Sequence, residues 1–132
     1  MKTFLRLGAF GFLSWLVVFL ASVCLFFLKK ENERLFEMLM SFVLTGCAVA
    51  LTTIYFRKVR GGFLRAGILL GCAFVCANIL CDLPMFSFGP MEMPLSRYFA
   101  EIGLAYLIMP IISIGYGYAL KQAMCAARGR PD

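Results

Sequence analysis

Residues 67–97 read GILLGCAFVCANILCDLPMFSFGPMEMPLSR, and most of the chemically distinctive side chains of the sequence lie in this stretch. It starts as an apolar run that predicts a helix, and a segment rich in Pro, Met and Phe then leads to the last apolar run. The helix carries a G-x-x-x-G pair formed by Gly67 and Gly71. Its first polar residue is Asn78 and its first charged residue is Asp82. Pro84 predicts its end.

The composition indicates a protein of the lipid bilayer. The 132 residues are 62% hydrophobic with a mean hydropathy of +0.88, which leaves too little polar surface for a soluble globule of this size. Charged residues make up 15% of the chain and are bunched between long apolar runs. There is no histidine, so the commonest haem ligand, metal ligand and general base are all missing.

The apolar runs predict four membrane spans within a single domain, residues 1–132. Each run has about the 20 residues needed to cross a bilayer. The predicted spans cover residues 7–28, 36–56, 63–83 and 99–120, and residues 121–132 form a polar tail. The link KKENER is short, so the second span should return antiparallel beside the first. The expected fold is all-α, an integral membrane four-helix antiparallel transmembrane bundle.

The basic residues predict the orientation of this bundle. With four spans, one side carries nine Lys and Arg residues: Lys2, Arg6, Arg57, Lys58, Arg60, Arg65, Lys121, Arg128 and Arg130. The other side carries four: Lys29, Lys30, Arg34 and Arg97. This asymmetry predicts a multi-pass protein of the cell (inner) membrane with both termini in the cytoplasm. A basic rim facing membrane lipid accounts for the net charge of +6, and nothing indicates a nucleic-acid partner.

Small and polar residues recur at alternating steps of three and four in each span, as on one face of a helix in a left-handed bundle. The stripes are Gly11, Ser14, Val18 and Ala21; Ser41, Thr45, Ala48, Thr52 and Tyr55; Gly67, Gly71, Phe74, Asn78 and Asp82; and Gly103, Tyr106, Pro110, Ser113 and Gly117. Lipid is as apolar as leucine, so close packing and polar contacts must hold the spans together. We therefore expect the stripes to face inward and Leu, Phe, Ile and Val to face lipid.

Pro110 lies near the middle of the fourth span, where a proline releases the carbonyl of Tyr106 from its helical hydrogen bond. A kink is expected there. One interpretation is that a hydroxyl from the second span, Thr45 or Thr52, or a buried water bonds the released carbonyl. The other is that the kink, with Gly115 and Gly117 further along, acts as a hinge or lines a small hydrated cavity.

Position decides the interpretation of the polar groups in the third span. Asp82 is 19 residues beyond Phe63, about 28 Å at 1.5 Å per residue, which predicts a place near the outer membrane edge. Asn78 is one turn deeper and needs a helix partner. The charged residues expected at the outer mouth are Asp82, Glu92, Arg97 and Glu101. They form either an interfacial salt-bridge cluster or a selective vestibule, with Asn78 beneath it as a ligand for a solute or as a partner contact.

Sulfur donors gather around the outer loop. Cys81, Met85, Met91 and Met93 are weak candidates for binding monovalent copper, because a single M-x-M is a common pattern in membrane proteins. No metal site and no cofactor is predicted on this basis. The six cysteines contain no C-x-x-C pair, but Cys24 and Cys81 are both expected near the oxidising side and would form a disulfide if their helices are neighbours.

Catalysis is not expected, because no nucleophile has a recognisable base partner and no glycine loop would cradle a phosphate. Three functions remain open. The first is an oligomeric channel- or transporter-like bundle that passes or gates a small ion or solute. The second is an accessory or regulatory subunit, including an immunity-type protein, that packs against the spans of a partner membrane protein. The third is copper handling through the Met-rich outer loop.

Overall fold

The computed structural model of the chain is all-helical and describes residues 2–88, 94, 96, 100 and 103–129. The helices of this part are α1 (Lys2–Glu31), α2 (Glu33–Phe56), α3 (Phe63–Phe88), α4 (Leu104–Tyr106) and α5 (Ile108–Arg128). The segments Thr3–Glu31, Glu33–Phe56, Phe63–Pro84 and Leu104–Arg128 are long and apolar enough to cross a membrane. The four predicted spans are therefore confirmed as helices, while the predicted start of the fourth, residue 99, lies outside the described residues.

α1 and α2 meet at Asn32, a much shorter junction than the predicted link. KKENER is helical on both sides of Asn32, whose backbone is extended with φ of −152°. The Asn32 side chain accepts a hydrogen bond from the N–H of Leu35 at 3.3 Å and so caps the first turn of α2. A charged hexapeptide predicts a loop, but a capping residue allows two helices to be joined through one non-helical position.

Two predicted helix ends are wrong. α3 does not end at Pro84 but continues to Phe88. A proline removes only its own hydrogen bond, here to the carbonyl of Leu80, and both residues are exposed at the bundle surface. The predicted polar tail is helical as far as Arg128, because its lysine, glutamine, methionine and alanine residues favour helix even when exposed.

The fourth span is interrupted at Leu107, which separates α4 from α5. The N–H of Leu107 donates to the carbonyl of Leu104 at 3.2 Å, the spacing of a tight 3₁₀-type turn. Pro110 lies in the first turn of α5, where the missing N–H costs little because first-turn donors lack helical partners anyway. The predicted kink is thus a break that precedes the proline.

The two hydroxyls expected to bond the carbonyl of Tyr106 have other partners, whereas the alternative of a buried water stays a prediction. Thr45 donates to the carbonyl of Ser41 at 2.8 Å, within its own helix. The Thr52 hydroxyl is hydrogen-bonded to the Ser113 hydroxyl at 3.2 Å.

The four long helices form a square arrangement in cross-section. α1 packs beside α2 and α3, and α5 packs beside the same two helices. α2 and α3 are consecutive in the chain but lie on a diagonal with few contacts. The second helix therefore returns beside the first, as predicted, and α3 is the helix with the most extensive packing.

Glycines allow α3 to approach its neighbours at backbone distance. A Cβ atom added at Gly67 would lie 2.5 Å from the carbonyl oxygen of Ser113, and one at Gly71 would lie 2.7 Å from the Cα of Pro110. On the other side, a Cβ at Gly11 of α1 would lie 2.8 Å from the Cβ of Ala77. The G-x-x-x-G pair thus forms the close contact between α3 and α5.

Candidate functional site

Polar side chains from every long helix meet inside the bundle. We call this group the interior polar cluster, and its buried members are Ser14, Thr52, Asn78, Asp82 and Ser113. A buried polar group in apolar surroundings is costly unless it is hydrogen-bonded, so the partners of each member define the site.

Asp82 joins three helices. The indole Nε1–H of Trp15 in α1 donates to Oδ1 of Asp82 at 2.8 Å. The hydroxyl of Tyr106 in α4 donates to Oδ2. Asp82 is only 8% exposed, so this carboxylate is an acceptor inside the bundle and does not belong to a solvent-facing rim.

The contact with Trp15 fixes the height of Asp82 along the bundle. The apolar run of α1 from Leu7 to Leu28 extends about 12 Å before Trp15 and about 20 Å beyond it. Asp82 therefore lies beside the middle third of that run. Along α3, Asp82 is two residues from the end of the apolar segment Phe63–Pro84, so its position at the outer membrane edge stays a prediction.

Asn78 lies one turn further into the bundle and is 0% exposed. Its amide Nδ2 donates to the hydroxyl of Ser14 in α1 at 3.0 Å and to the carbonyl of Phe74 at 2.7 Å, with Sδ of Met109 at 3.7 Å. The predicted helix partner of Asn78 is thus Ser14. The Asn78 Oδ1 atom has no hydrogen-bond partner among the described residues, although it is buried.

Thr52 and Ser113 complete the cluster on the side of α2 and α5. Their hydroxyls are 3.2 Å apart, and Ser113 also donates to the carbonyl of Met109 at 2.9 Å. Met109 thus contacts Asn78 through its sulfur and Ser113 through its backbone. Both hydroxyl residues are 0% exposed, so this end of the cluster is closed to solvent.

The predicted stripes can be compared with burial residue by residue. All five residues of the α3 stripe are buried. In the fourth span, Tyr106, Ser113 and Gly117 are buried while Gly103 and Pro110 are half-buried. In α2 the stripe is buried only from Ala48 onward, and Ser41 is exposed. The Ser41 hydroxyl donates to the carbonyl of Glu37 at 3.0 Å, so its own helix satisfies it.

Several predicted site residues cannot be assigned to this cluster. Glu92, Arg97 and Glu101, expected beside Asp82, lie outside the described residues, as do Met91 and Met93. Met85 is in the last turn of α3, where only its backbone is described, and Cys81 is half-buried. Among the described residues there is no group of three or more His, Cys, Asp or Glu arranged to hold a metal. All six cysteines are free thiols, so the Cys24–Cys81 disulfide is not formed.

Trp15 and Met109 are the contributors that the sequence reasoning missed. A signal for Trp15 existed, because it is the only tryptophan of the chain and its indole N–H needs an acceptor when buried. The acidic residues within the first three apolar runs as predicted are Glu37 and Asp82, and Glu37 is at the very start of its run. Asp82 was therefore the acceptor that elimination would have selected for Trp15. Met109 gave no comparable signal.

No protein-family model, curated protein or solved structure matches the chain significantly. The fold and the site define a class: an all-helical chain with four helices long and apolar enough to span a membrane, built around a buried polar cluster.

Proposed function

We propose that this chain is an integral membrane protein, with both termini in the cytoplasm, that passes or gates a small cation through the interior polar cluster. The observation that carries the proposal is the buried carboxylate of Asp82, held by Trp15 and Tyr106 beside the middle third of the α1 apolar run. An ionisable side chain at such depth is costly in a bilayer and commonly marks an ion or proton path.

The exposed surface supports a lipid environment for this path. Large apolar side chains cover the outside of each long helix, among them Phe12, Phe42, Leu80 and Ile111. In water such a surface would promote aggregation, whereas in a bilayer it contacts acyl chains of the same polarity.

The chemistry of the cluster favours a cation. The groups that could face a permeant ion are the Asp82 carboxylate, the Asn78 Oδ1 atom and the hydroxyls of Ser14, Thr52 and Ser113. Oxygen ligands of this kind replace the hydration shell of a hard cation or accept a proton. Asn78 Oδ1 already has an open acceptor position, which a dehydrated cation would fill.

Tyr106 is the donor that would open the path. It ends the three-residue α4, and the turn at Leu107 separates it from α5. Trp15, by contrast, lies inside the continuous 30-residue α1. A rotation of α4 would release Oδ2 of Asp82 while Trp15 still holds Oδ1. Because Ser14, Thr52, Asn78 and Ser113 are 0% exposed, transport requires such an opening.

Flux into proteoliposomes tests the proposal. Purified protein is reconstituted with a dye sensitive to pH, sodium or potassium inside, and a membrane potential drives uptake. We expect flux in the wild type and only the leak of protein-free liposomes in Asp82→Asn, which keeps the size of the side chain but removes its charge. Thr45→Ala is the matched control, because that hydroxyl bonds only its own helix. A folded wild type that carries no cation, or an Asp82→Asn variant with wild-type flux, would refute the proposal.

An accessory subunit that packs against another membrane protein is the second candidate. A Cβ atom at Gly46 of α2 or at Gly115 of α5 would have no atom within 4 Å, so another helix backbone could approach closely at both positions. A second copy of this chain could use the same positions.

Native purification in mild detergent distinguishes these associations. A stoichiometric partner, or a homo-oligomer, should be present with the wild type and lost in Gly46→Leu or Gly115→Leu. Ser41→Leu, at an exposed position on a different side of α2, is the control. If the wild type is purified as a monomer without a partner, both the accessory-subunit association and the homo-oligomer are contradicted.

A further inference from the structure

A cavity of about 380 Å³ lies at the end of the bundle where α1 and α3 begin. The first turns of these two helices, the end of α2 and the α2–α3 loop form its walls. Three of the lining side chains are cationic: Arg6, Lys58 and Arg65. This cavity is separate from the interior polar cluster, none of whose members lines it.

The described glutamates do not neutralise these three cations. Glu31, Glu33 and Glu37 all lie near the junction of α1 and α2, about 40 Å away along the 30-residue α1. The amino end of α3 adds partial positive charge at the cavity edge, since Gly61 and Gly62 line the cavity as well. The cavity therefore attracts an anion.

Apolar side chains line the cavity one helical turn further into the bundle than the cations. Phe10 follows Arg6 by four residues in α1, and Leu69 follows Arg65 by four residues in α3. The Phe10 ring packs edge-on against the ring of Tyr55 with centroids 5.5 Å apart. The cavity also lies at the ends of three membrane-length helices, the level that lipid headgroups occupy. A cationic side next to an apolar side at this level suits an amphiphile better than a free ion.

We propose that this cavity binds the phosphate headgroup of an anionic phospholipid. Arg6, Lys58 and Arg65 contact the phosphate oxygens, and Phe10 and Leu69 pack against the acyl end. Arginine suits this role because its guanidinium binds phosphate through two parallel hydrogen bonds. The site does not depend on cation passage, and it would exist equally in an accessory subunit.

Native mass spectrometry of the full chain in mild detergent tests the assignment, with phosphatidylglycerol and phosphatidylcholine titrated separately. Each basic residue near an anionic headgroup contributes about a factor of five to the affinity. Lys58→Ala should therefore weaken phosphatidylglycerol binding about fivefold, and Lys58→Ala/Arg65→Ala about twenty-five-fold. Phosphatidylcholine binding should change little. Both side chains are exposed, so neither replacement removes a buried contact. If the double variant does not fold, Lys58→Ala alone is the test, because Lys58 lies in the loop between α2 and α3 and its replacement leaves the helices intact.

The control variant is Lys121→Ala/Arg128→Ala, which removes the same charge from exposed positions of α5 outside the cavity. Its affinity for phosphatidylglycerol should match that of the wild type. A loss of affinity equal to that of Lys58→Ala/Arg65→Ala would contradict the assignment, because general surface charge would then explain both losses. Glycerol phosphate and inorganic phosphate are added as competitors to separate lipid from soluble anion. If either displaces the lipid at equal concentration, or if Lys58→Ala/Arg65→Ala binds as the wild type does, the assignment is overturned.

Discussion

Replacing Gly67 by alanine should separate α3 from α5, whereas the same replacement at Gly115 should not. A Cβ at position 67 would lie 2.5 Å from the carbonyl oxygen of Ser113, nearly 1 Å inside ordinary van der Waals contact, and backbone cannot rotate away as a side chain can. Overpacking of this kind costs about 1–3 kcal/mol of unfolding free energy. At Gly115 a Cβ meets nothing within 4 Å, and alanine should gain up to about 1 kcal/mol from helix propensity.

Comparing Gly67→Ala with Gly115→Ala is informative because the chemical change is identical in the two variants. Alanine removes the same backbone freedom at both positions, so their difference, about 1–3 kcal/mol after the common propensity gain cancels, isolates the helix contact. Reversible unfolding in mixed micelles, followed by circular dichroism, measures both variants against the wild type. Gly67→Ala should unfold at lower denaturant than Gly115→Ala. Equal midpoints, or a more stable Gly67→Ala, would refute the close contact of α3 with α5.

Four further outcomes follow from the interior polar cluster. Asn78→Leu should change the unfolding free energy by less than about 1 kcal/mol, because losing an interhelical hydrogen bond is offset by removing an Oδ1 atom that has no partner in the described part of the chain; a loss above about 2 kcal/mol contradicts this. Tyr106→Phe should cost about 1–3 kcal/mol by removing a donor to Asp82, as the same unfolding assay would show. Asp82→Leu should shift the emission of Trp15, the only tryptophan, whereas emission unchanged from the wild type would contradict the indole contact. A double-mutant cycle with Thr52→Val and Ser113→Ala should give a coupling of about 0.6 kcal/mol, and a coupling of zero would exclude their hydrogen bond.

The faces of the helices could be predicted from the sequence, because helix geometry fixes which residues share a side. Gly67, Gly71 and Asn78 follow one another at steps of four and seven, and all lie in the bundle interior. The same periodicity placed Tyr106 and Ser113 inward. Moving a leucine from lipid into a helix interface gains little free energy, so the small and polar residues are the ones that mark the packed face of a membrane helix.

The relative heights of the helices could not be predicted, because each span was measured from its own first residue. Asp82 is about 28 Å from the start of α3, but its partner Trp15 is only about 20 Å from the start of α1. The ends of helices were equally uncertain, since Asn32 and Leu107 interrupt helices in contexts where propensity alone predicts a loop or a continuous span.

The single-residue junction at Asn32 has a consequence for how the chain is made. Ribosomal synthesis delivers α1 and α2 before α3, and with so short a connection the two helices can pair as a hairpin before the rest of the chain is made. At that moment the indole of Trp15 has no carboxylate to meet, because Asp82 is still to be synthesised. The hairpin of α1 and α2 therefore lacks the hydrogen bond from Trp15 until α3 is made and supplies Asp82 as the acceptor.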